Sequence, residues 1–212
     1  MVIAIDGPAG AGKSTVARAA AERLGFTYLD SGAMYRCVAL AALEADLDPD
    51  DGDGLGSLAE SLLITMEPGQ VLLDGRDVGE RIRDSEVGAI ASRIAPHAQV
   101  RSALVRQQQA LIAAGRFVAE GRDIGTVVAP DSPLKVFLTA APDERARRRA
   151  AETGESVESV LEAQIERDDR DTGREHGALR SAEDAVDLDT TGLSVEDVVT
   201  RIVDLARERG LT

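Results

Sequence analysis

"VIAIDGPAGAGKST", residues 2–15, is the stretch on which the fold turns. Its first four residues form a continuous apolar run rich in β-branched side chains, the pattern of a strand covered on both faces. After Asp6, the eight residues Gly7-Pro8-Ala9-Gly10-Ala11-Gly12-Lys13-Ser14 satisfy G-x-x-x-x-G-K-[ST]. Beyond them Val16, Ala20 and Leu24 recur every four residues, which marks one face of a helix, and Gly25 supplies a C-terminal cap. Strand, glycine-rich loop and helix in this order are the setting in which such a loop cradles phosphates. Glycine lets successive N–H groups turn inward as an anion nest, and the helix N-terminus adds partial positive charge. Lys13 is then a compact charge for the β- and γ-phosphates. The Ser14 hydroxyl is placed to join the shell of a Mg²⁺ ion otherwise held by water and phosphate oxygens. Gly7, Pro8, Ala9, Gly10, Ala11, Gly12, Lys13, Ser14 and Thr15 are the expected ATP-binding segment.

The chain has 212 residues, enough for one sizeable domain, with 43% hydrophobic and 29% charged residues, an ordinary balance for a soluble protein. No apolar run approaches the twenty residues a membrane span needs, and no leader pattern opens the chain. One cysteine, Cys37, excludes an internal disulfide and suits a reducing, cytoplasmic setting. The formal net charge of −14 argues against a nucleic-acid polymer as partner, so an anionic ligand must meet a local basic cluster. Of the 24 basic residues only Lys13 and Lys135 are lysines. His97 and His176 have no companions at metal-ligand spacing and are expected to be structural or solvated.

Four further runs are expected strands: "FTYLD" (26–30), "FVAEG" (117–121), "LKVFLTA" (134–140) and "AVDLDTT" (185–191). Helical patterns alternate with them. Pro96 and Gly115 bound one, Pro142 opens another, Ser156 caps a third, and a last runs from about Ser194 to Arg209. In the third, Val157, Val160, Leu161, Gln164 and Ile165 form the expected buried stripe. Such alternation predicts an α/β fold, a three-layer sandwich around a parallel five-stranded sheet. Residues 50–95 break the pattern: "DDGDGLGS" reads as a loop or a frayed helix start. "LLITMEPGQVLLDGRDV" reads as short antiparallel strands around Pro-Gly and Asp-Gly turns. "DGRDVG" (74–79) is expected as a surface turn, whereas its echo "EGRDIG" (120–125) ends a core strand and faces the ligand crevice.

A phosphate cradle alone does not separate a kinase from a switch or a motor, although no N-K-x-D guanine signature is present. The arginines narrow the choice. Asp30 or Ser31 caps the helix after the second strand, with Tyr35 and Arg36 one turn in. Arg122 and Asp123 end the third strand, and Arg101 lies on the helix before it. This arrangement suits a second anionic substrate. "ERDDRDTGR" (166–174) has two readings, a solvated helix end laced with ion pairs or a set of phosphate clamps.

"GPAGAGKST", "LDSGAMYR", "EGRDIGTVV" and "ERDDRD", in this order, resemble bacterial cytidylate kinase, a family of P-loop nucleoside monophosphate kinases, and the similarity runs from residue 1 to 212. Glu120 departs from the Asp of many relatives. The resemblance implies transfer of the ATP γ-phosphoryl to CMP or dCMP by a monomer. It also implies a monophosphate-binding region at about 36–100, with a β insert near 60–90, and a lid at about 150–176. Phosphoryl transfer needs positioning and spread positive charge more than covalent chemistry. Lys13, the loop amides and Mg²⁺ are expected to hold the donor. Arg36, Arg122 and Arg174 are expected to clamp the acceptor phosphate, with Ser31 and Tyr35 beside them, and Arg167 and Arg170 to approach the transferring group. Asp123 suits the cytosine N4 amino group, with Arg101 and Ser92 donating to N3 or O2. The resemblance adds Asp171 on a ribose hydroxyl and Arg148 stacked on adenine. Two alternatives stay open: a kinase for UMP, AMP or a small hydroxylated metabolite, and a nucleotide-dependent switch without transfer.

Overall fold

A computed structural model describes residues 1–67 and 69–212. From the N-terminus the elements are β1 (Val2–Asp6), α1 (Lys13–Leu24), β2 (Thr27–Asp30), α2 (Ser31–Glu44) and α3 (Gly52–Ser61), then the short strands β3 (Ile64–Glu67), β4 (Gln70–Leu73) and β5 (Arg76–Asp77). A 3₁₀ turn (Arg81–Arg83), α4 (Ser85–Ile94), α5 (Ala98–Ala113), β6 (Phe117–Gly121) and a π-helical turn (Ile124–Val128) follow. β7 (Leu134–Thr139), α6 (Pro142–Thr153), α7 (Val157–Thr172), β8 (Val186–Asp189) and α8 (Val195–Glu208) complete the order. The chain divides into two compact units, Met1–Leu29 with Ile112–Thr212, and Asp30–Leu111.

The first unit carries a five-stranded sheet of order β2-β6-β1-β7-β8, in which β1 pairs in parallel with both β6 and β7, and β7 with β8. All five residues of β1 are buried, as the unbroken apolar run requires of a central strand with helices on both faces. Ile3, Ile5, Val118, Val136 and Leu138 pack with Val16, Ala17 and Ala20 of α1 and with Val198, Val199, Ile202 and Val203 of α8. Small residues on α1 let that helix lie close to the sheet. α8 starts at a capping box: Ser194 Oγ accepts from the Asp197 N–H at 3.2 Å, and Asp197 Oδ2 accepts from the Ser194 N–H at 3.2 Å. Lys135, on β7, is buried and its Nζ donates to Asp184 at 2.8 Å. α6 and α7 meet through only a thin apolar seam of Ala146, Ala150 and Val160, with Leu161 at its edge.

In the second unit, β3-β4-β5 form an antiparallel sheet. β4 and β5 are joined by Asp74 and Gly75, at φ of 49° and 79°, the geometry of a type I′ turn that an Asp-Gly pair favours. The expected Pro-Gly turn involves Pro68, which lies outside the described residues. Strands fill only 64–77 of the stretch expected as a β insert near 60–90; from Arg81 the chain is helical. "DDGDGLGS" is neither a loop nor frayed. Asp51 accepts from the Gly54 N–H at 3.0 Å and starts α3, which buries Leu55 and Ala59. Gly56 is required there, because a Cβ would stand 2.4 Å from the Gln99 Cβ. His97 is structural: its Nε2 donates to the Pro49 carbonyl at 2.9 Å. Cys37 is buried, and its thiol is pushed up to about 12, first by burial and then by Asp30. Among the described residues no helix is long and apolar enough to cross a membrane.

Candidate active site

The loop of residues 7–14 joins β1 to α1. Gly7, Gly10 and Gly12 have φ of 149°, 77° and 86°. At Gly7 a Cβ would lie 2.1 Å from the Leu138 carbonyl oxygen, so the loop closes against β7 in a way no side chain permits. Gly12 is the N-cap of α1; it offers no side-chain cap, and the first turn holds no acid. The first N–H groups of α1 are thus left for an anion. Lys13 is buried and its Nζ donates to the Pro8 carbonyl at 2.7 Å. Burial, helped by Arg122 and Arg167, lowers its pKa to about 7 against the pull of Glu120 and Asp6. A phosphate arriving here would restore that charge.

Beneath the loop, Asp6 ends β1. Its two oxygens accept from the N–H groups of Ile124 and Gly125 at 2.8 and 2.7 Å. These bonds hold the π-helical turn after β6, in which Val128 donates to the Asp123 carbonyl and Ala129 to that of Ile124. Burial raises Asp6 to about 6 in spite of both bonds. Asp123, expected at a strand end, stands instead at the head of this turn, buried. Glu120 accepts from the Tyr28 hydroxyl at 2.5 Å.

The charged stretch divides. Asp171 is fully buried and gathers arginines: Arg122 Nε lies 2.8 Å from its Oδ2, Arg174 Nη2 bonds Oδ1, and Arg167 Nε stands 4.0 Å away. Burial alone would raise the Asp171 carboxyl, but Arg122 and Arg174, with Arg167, hold it below its ordinary value. Arg170 is not brought in: it is exposed and its Nε donates back to the Glu166 carbonyl at 3.2 Å. It therefore does not join Arg167 and Arg174 at Asp171; α7 ends at Thr172, which leaves Arg174 on the loop beyond it. Asp168 pairs with Arg145 at 2.7 Å. Val157 and Ile165, expected in the buried stripe, are 37% and 50% exposed; the face that turns inward carries Val160, Gln164 and Asp171.

Arg148 is anchored, with Nε on Glu144 at 3.1 Å and Nη2 on the Thr190 carbonyl at 2.9 Å. Its Nη1 lies 3.9 Å from the Cβ position of Gly12, which sets it at the edge of the loop. In "ERARRRA" sequence reasoning singles out Arg148 and passes over Arg145, the buried arginine of the run. Arg145 Nη1 donates to the Ala9 carbonyl at 2.9 Å, joining the loop to α6 and, through Asp168, to α7. Nothing in a run of four arginines marks it out, because its partner is 136 residues away.

The second unit holds the remaining expected residues. Asp30 accepts from the Ala33 N–H at 2.9 Å, so Asp30 rather than Ser31 caps α2. Ser31 is buried in the first turn, and Tyr35 and Arg36 follow half-buried. Arg101, on α5, is buried and donates to the Tyr35 hydroxyl at 3.2 Å. Ser92, on α4, is buried, and its hydroxyl has no hydrogen-bond partner among the described residues.

The donor set bears on Mg²⁺. Ser14 is exposed at the start of α1, both Asp6 oxygens are taken by backbone, and no cluster of three or more His, Cys, Asp or Glu stands ready among the described residues. One hydroxyl with few carboxylates fits a hard cation carried mainly by phosphate oxygens and water.

A glycine-rich anion loop, opening from the central strand of a parallel sheet and crossed by arginines from a second helix pair, defines a P-loop kinase fold. A solved shikimate kinase from Bacteroides thetaiotaomicron has this fold at TM-score 0.50, with 14% identity and 98% of each chain covered. The family model for cytidylate kinase matches residues 3–208. A cytidylate kinase of Carboxydothermus hydrogenoformans is 48% identical over 214 residues, 97% of this chain and 96% of that protein. A bifunctional pantoate ligase/cytidylate kinase of Prochlorococcus marinus is 51% identical over 217 residues. That match takes in 97% of this chain, which spans 44% of the bifunctional protein's length. The chain belongs to the cytidylate kinase family.

Proposed function

We propose that the chain transfers the γ-phosphoryl group of ATP to CMP or dCMP, giving CDP or dCDP and ADP, as a cytoplasmic monomer in pyrimidine nucleotide metabolism. The observation that carries this reading is the family match along residues 3–208, on a chain whose loop lysine is buried beside Arg122 and Arg167. In this reading residues 7–15 hold the ATP phosphates and Arg148 borders the adenine. Lys13 neutralises charge on the β- and γ-phosphates. Ser14 would hold Mg²⁺, which supplies charge neutralisation and orientation to the triphosphate when bound.

Arg36, Arg122 and Arg174 clamp the CMP phosphate, since guanidinium forks suit it bidentately. Asp123 accepts from the cytosine amino group, while Arg101 and Ser92 donate to N3 or O2; Ser31 and Tyr35 line the same site. Residues about 150–176 act as a lid, and about 36–100 as the monophosphate-binding region. The Asp171 pairs keep Arg122 and Arg174 ordered until a phosphate competes for them. Asp171 is then free for a ribose hydroxyl, and Arg167, with Arg170 if the helix end turns, approaches the transferring group. A general base is not required, because a CMP phosphate oxygen is itself a nucleophile.

The test is ATP-to-ADP turnover with Mg²⁺ against CMP, dCMP, UMP, AMP, GMP and shikimate. CMP and dCMP should stand well above the others, and Asp123→Ala should narrow their margin over UMP. Turnover that no acceptor raises above bare hydrolysis would overturn the kinase reading in favour of a nucleotide switch.

A further inference from the structure

Gln164 lies on the inward face of α7, 6% exposed, and neither its Oε1 nor its Nε2 has a hydrogen-bond partner among the described residues. Buried amides are nearly always paired, so an unpaired one asks for a reason. Its surroundings give one. The Nε2 lies 2.8 Å from the point a Cβ on Gly10 would occupy, which puts the amide at the tip of the anion loop. Of the nearby polar groups the basic ones are engaged, while Asp168, at i+4, keeps its Oδ1 without a partner among the described residues. Arg145 uses Nε on the Ala140 carbonyl and Nη1 on Ala9 and Asp168. Lys13 Nζ is on the Pro8 carbonyl. Gln164 also shares its helix with Arg167 and Asp171, at i+3 and i+7, so what it touches is coupled to the arginine cluster.

We propose that Gln164 is a further donor-binding residue, whose amide N–H₂ donates to the terminal phosphate of a nucleoside triphosphate held in the loop. This rests on the reading of the loop as an ATP site. In that reading the helix N-terminus and Lys13 serve the phosphates from α1, and Gln164 meets the loop at its Gly10 tip from α7. A neutral donor suits that place. Arg122 and Arg167 already weaken the proton on Lys13, and another cation would weaken it further. An amide adds a hydrogen bond to an anion without adding charge.

The experiment titrates wild type, Gln164→Leu and Gln164→Glu with a non-hydrolysable ATP analogue and with ADP, both with Mg²⁺ and with no acceptor present. Thermal melting is followed without nucleotide. Gln164→Leu should bind the triphosphate about tenfold more weakly, the loss of roughly one hydrogen bond to a charged group, and ADP within about twofold of wild type. Without nucleotide it should melt at or above wild type, since an unpaired buried amide has been replaced by an apolar group of similar shape. Gln164→Glu, which repels phosphate, should lose more than Gln164→Leu for the triphosphate. Equal losses for triphosphate and ADP, or no loss for either, would overturn the proposal and make Gln164 a packing residue. Because CMP is absent throughout, failure of the CMP reading would appear separately, as wild-type turnover that no acceptor raises.

Discussion

Arg122 and Asp171 are 49 residues apart and meet through a 2.8 Å bond in which the acceptor is wholly buried. Arg174 bonds the other oxygen of the same carboxylate, and Arg167 stands near it. One acid thus neutralises a cluster of cations that would otherwise repel. Asp171→Ala leaves these half-buried cations without their counter-charge and should cost about 3 kcal/mol of stability, read from the urea midpoint at constant slope.

Lys13 gives a signature in protons. Its folded value of about 7 lies below the ordinary 10.5, chiefly through burial. Between those values the unfolded chain holds a proton that the folded chain has released, so this group makes stability rise with pH across that window. Lys13→Met should therefore be more stable than wild type below pH 7, with the advantage fading toward pH 10. Nucleotide phosphates should also return the proton. Calorimetry in two buffers of different ionisation enthalpy should detect proton uptake on ATP binding near pH 8 and little near pH 6.

The loop glycines should not be equivalent. Gly7→Ala meets the Leu138 carbonyl at 2.1 Å, a backbone atom that cannot step aside without moving β7. Gly12→Ala meets nothing closer than Arg148 Nη1 at 3.9 Å, so it bears mainly the cost of its left-handed φ, about 1–2 kcal/mol. Chemical denaturation should rank Gly7→Ala well below Gly12→Ala, with Gly7→Ala failing to bind nucleotide.

Asp6→Asn tests the link from β1 to the π-helical turn. The amide would turn an N–H₂ toward one of the two backbone donors and leave it unpaired, at about 2 kcal/mol. The wild-type group also titrates in an unusual direction. Its folded value is raised to about 6, so its contribution to stability is full below 3.8 and is lost as pH rises through 6. In Asp6→Asn that pH dependence should disappear from the acid limb of the melting profile.

These cases show why some of the molecule was legible in the sequence and some was not. The β1–loop–α1 unit, the Ser156 and Ser194 caps and the Gly25 stop are local: the residues that form them are neighbours in the chain. α3 was hidden because Gly52, Gly54 and Gly56 are poor helix formers. What rescues it is the Asp51 cap and the close approach of Gln99, which no window around residue 52 contains. The π-helical turn is set by Asp6, 118 residues earlier, so "GRDIG" reads as a simple strand end. The same holds for the arginines. That Arg145 is buried and Arg170 exposed follows from where α6 and α7 lie, and their spacing in the chain is silent on it.

The rarity of lysine has a practical side. Lys13 and Lys135 are the only ε-amines in 212 residues, and they are just 6% and 7% exposed, one beneath an anion loop and the other tied to Asp184. Side-chain acylation, whether by a laboratory reagent or an acetyl-transfer enzyme, finds no open target on this surface. Slow modification of Lys13 would then measure how often the loop opens, and a bound triphosphate should silence it.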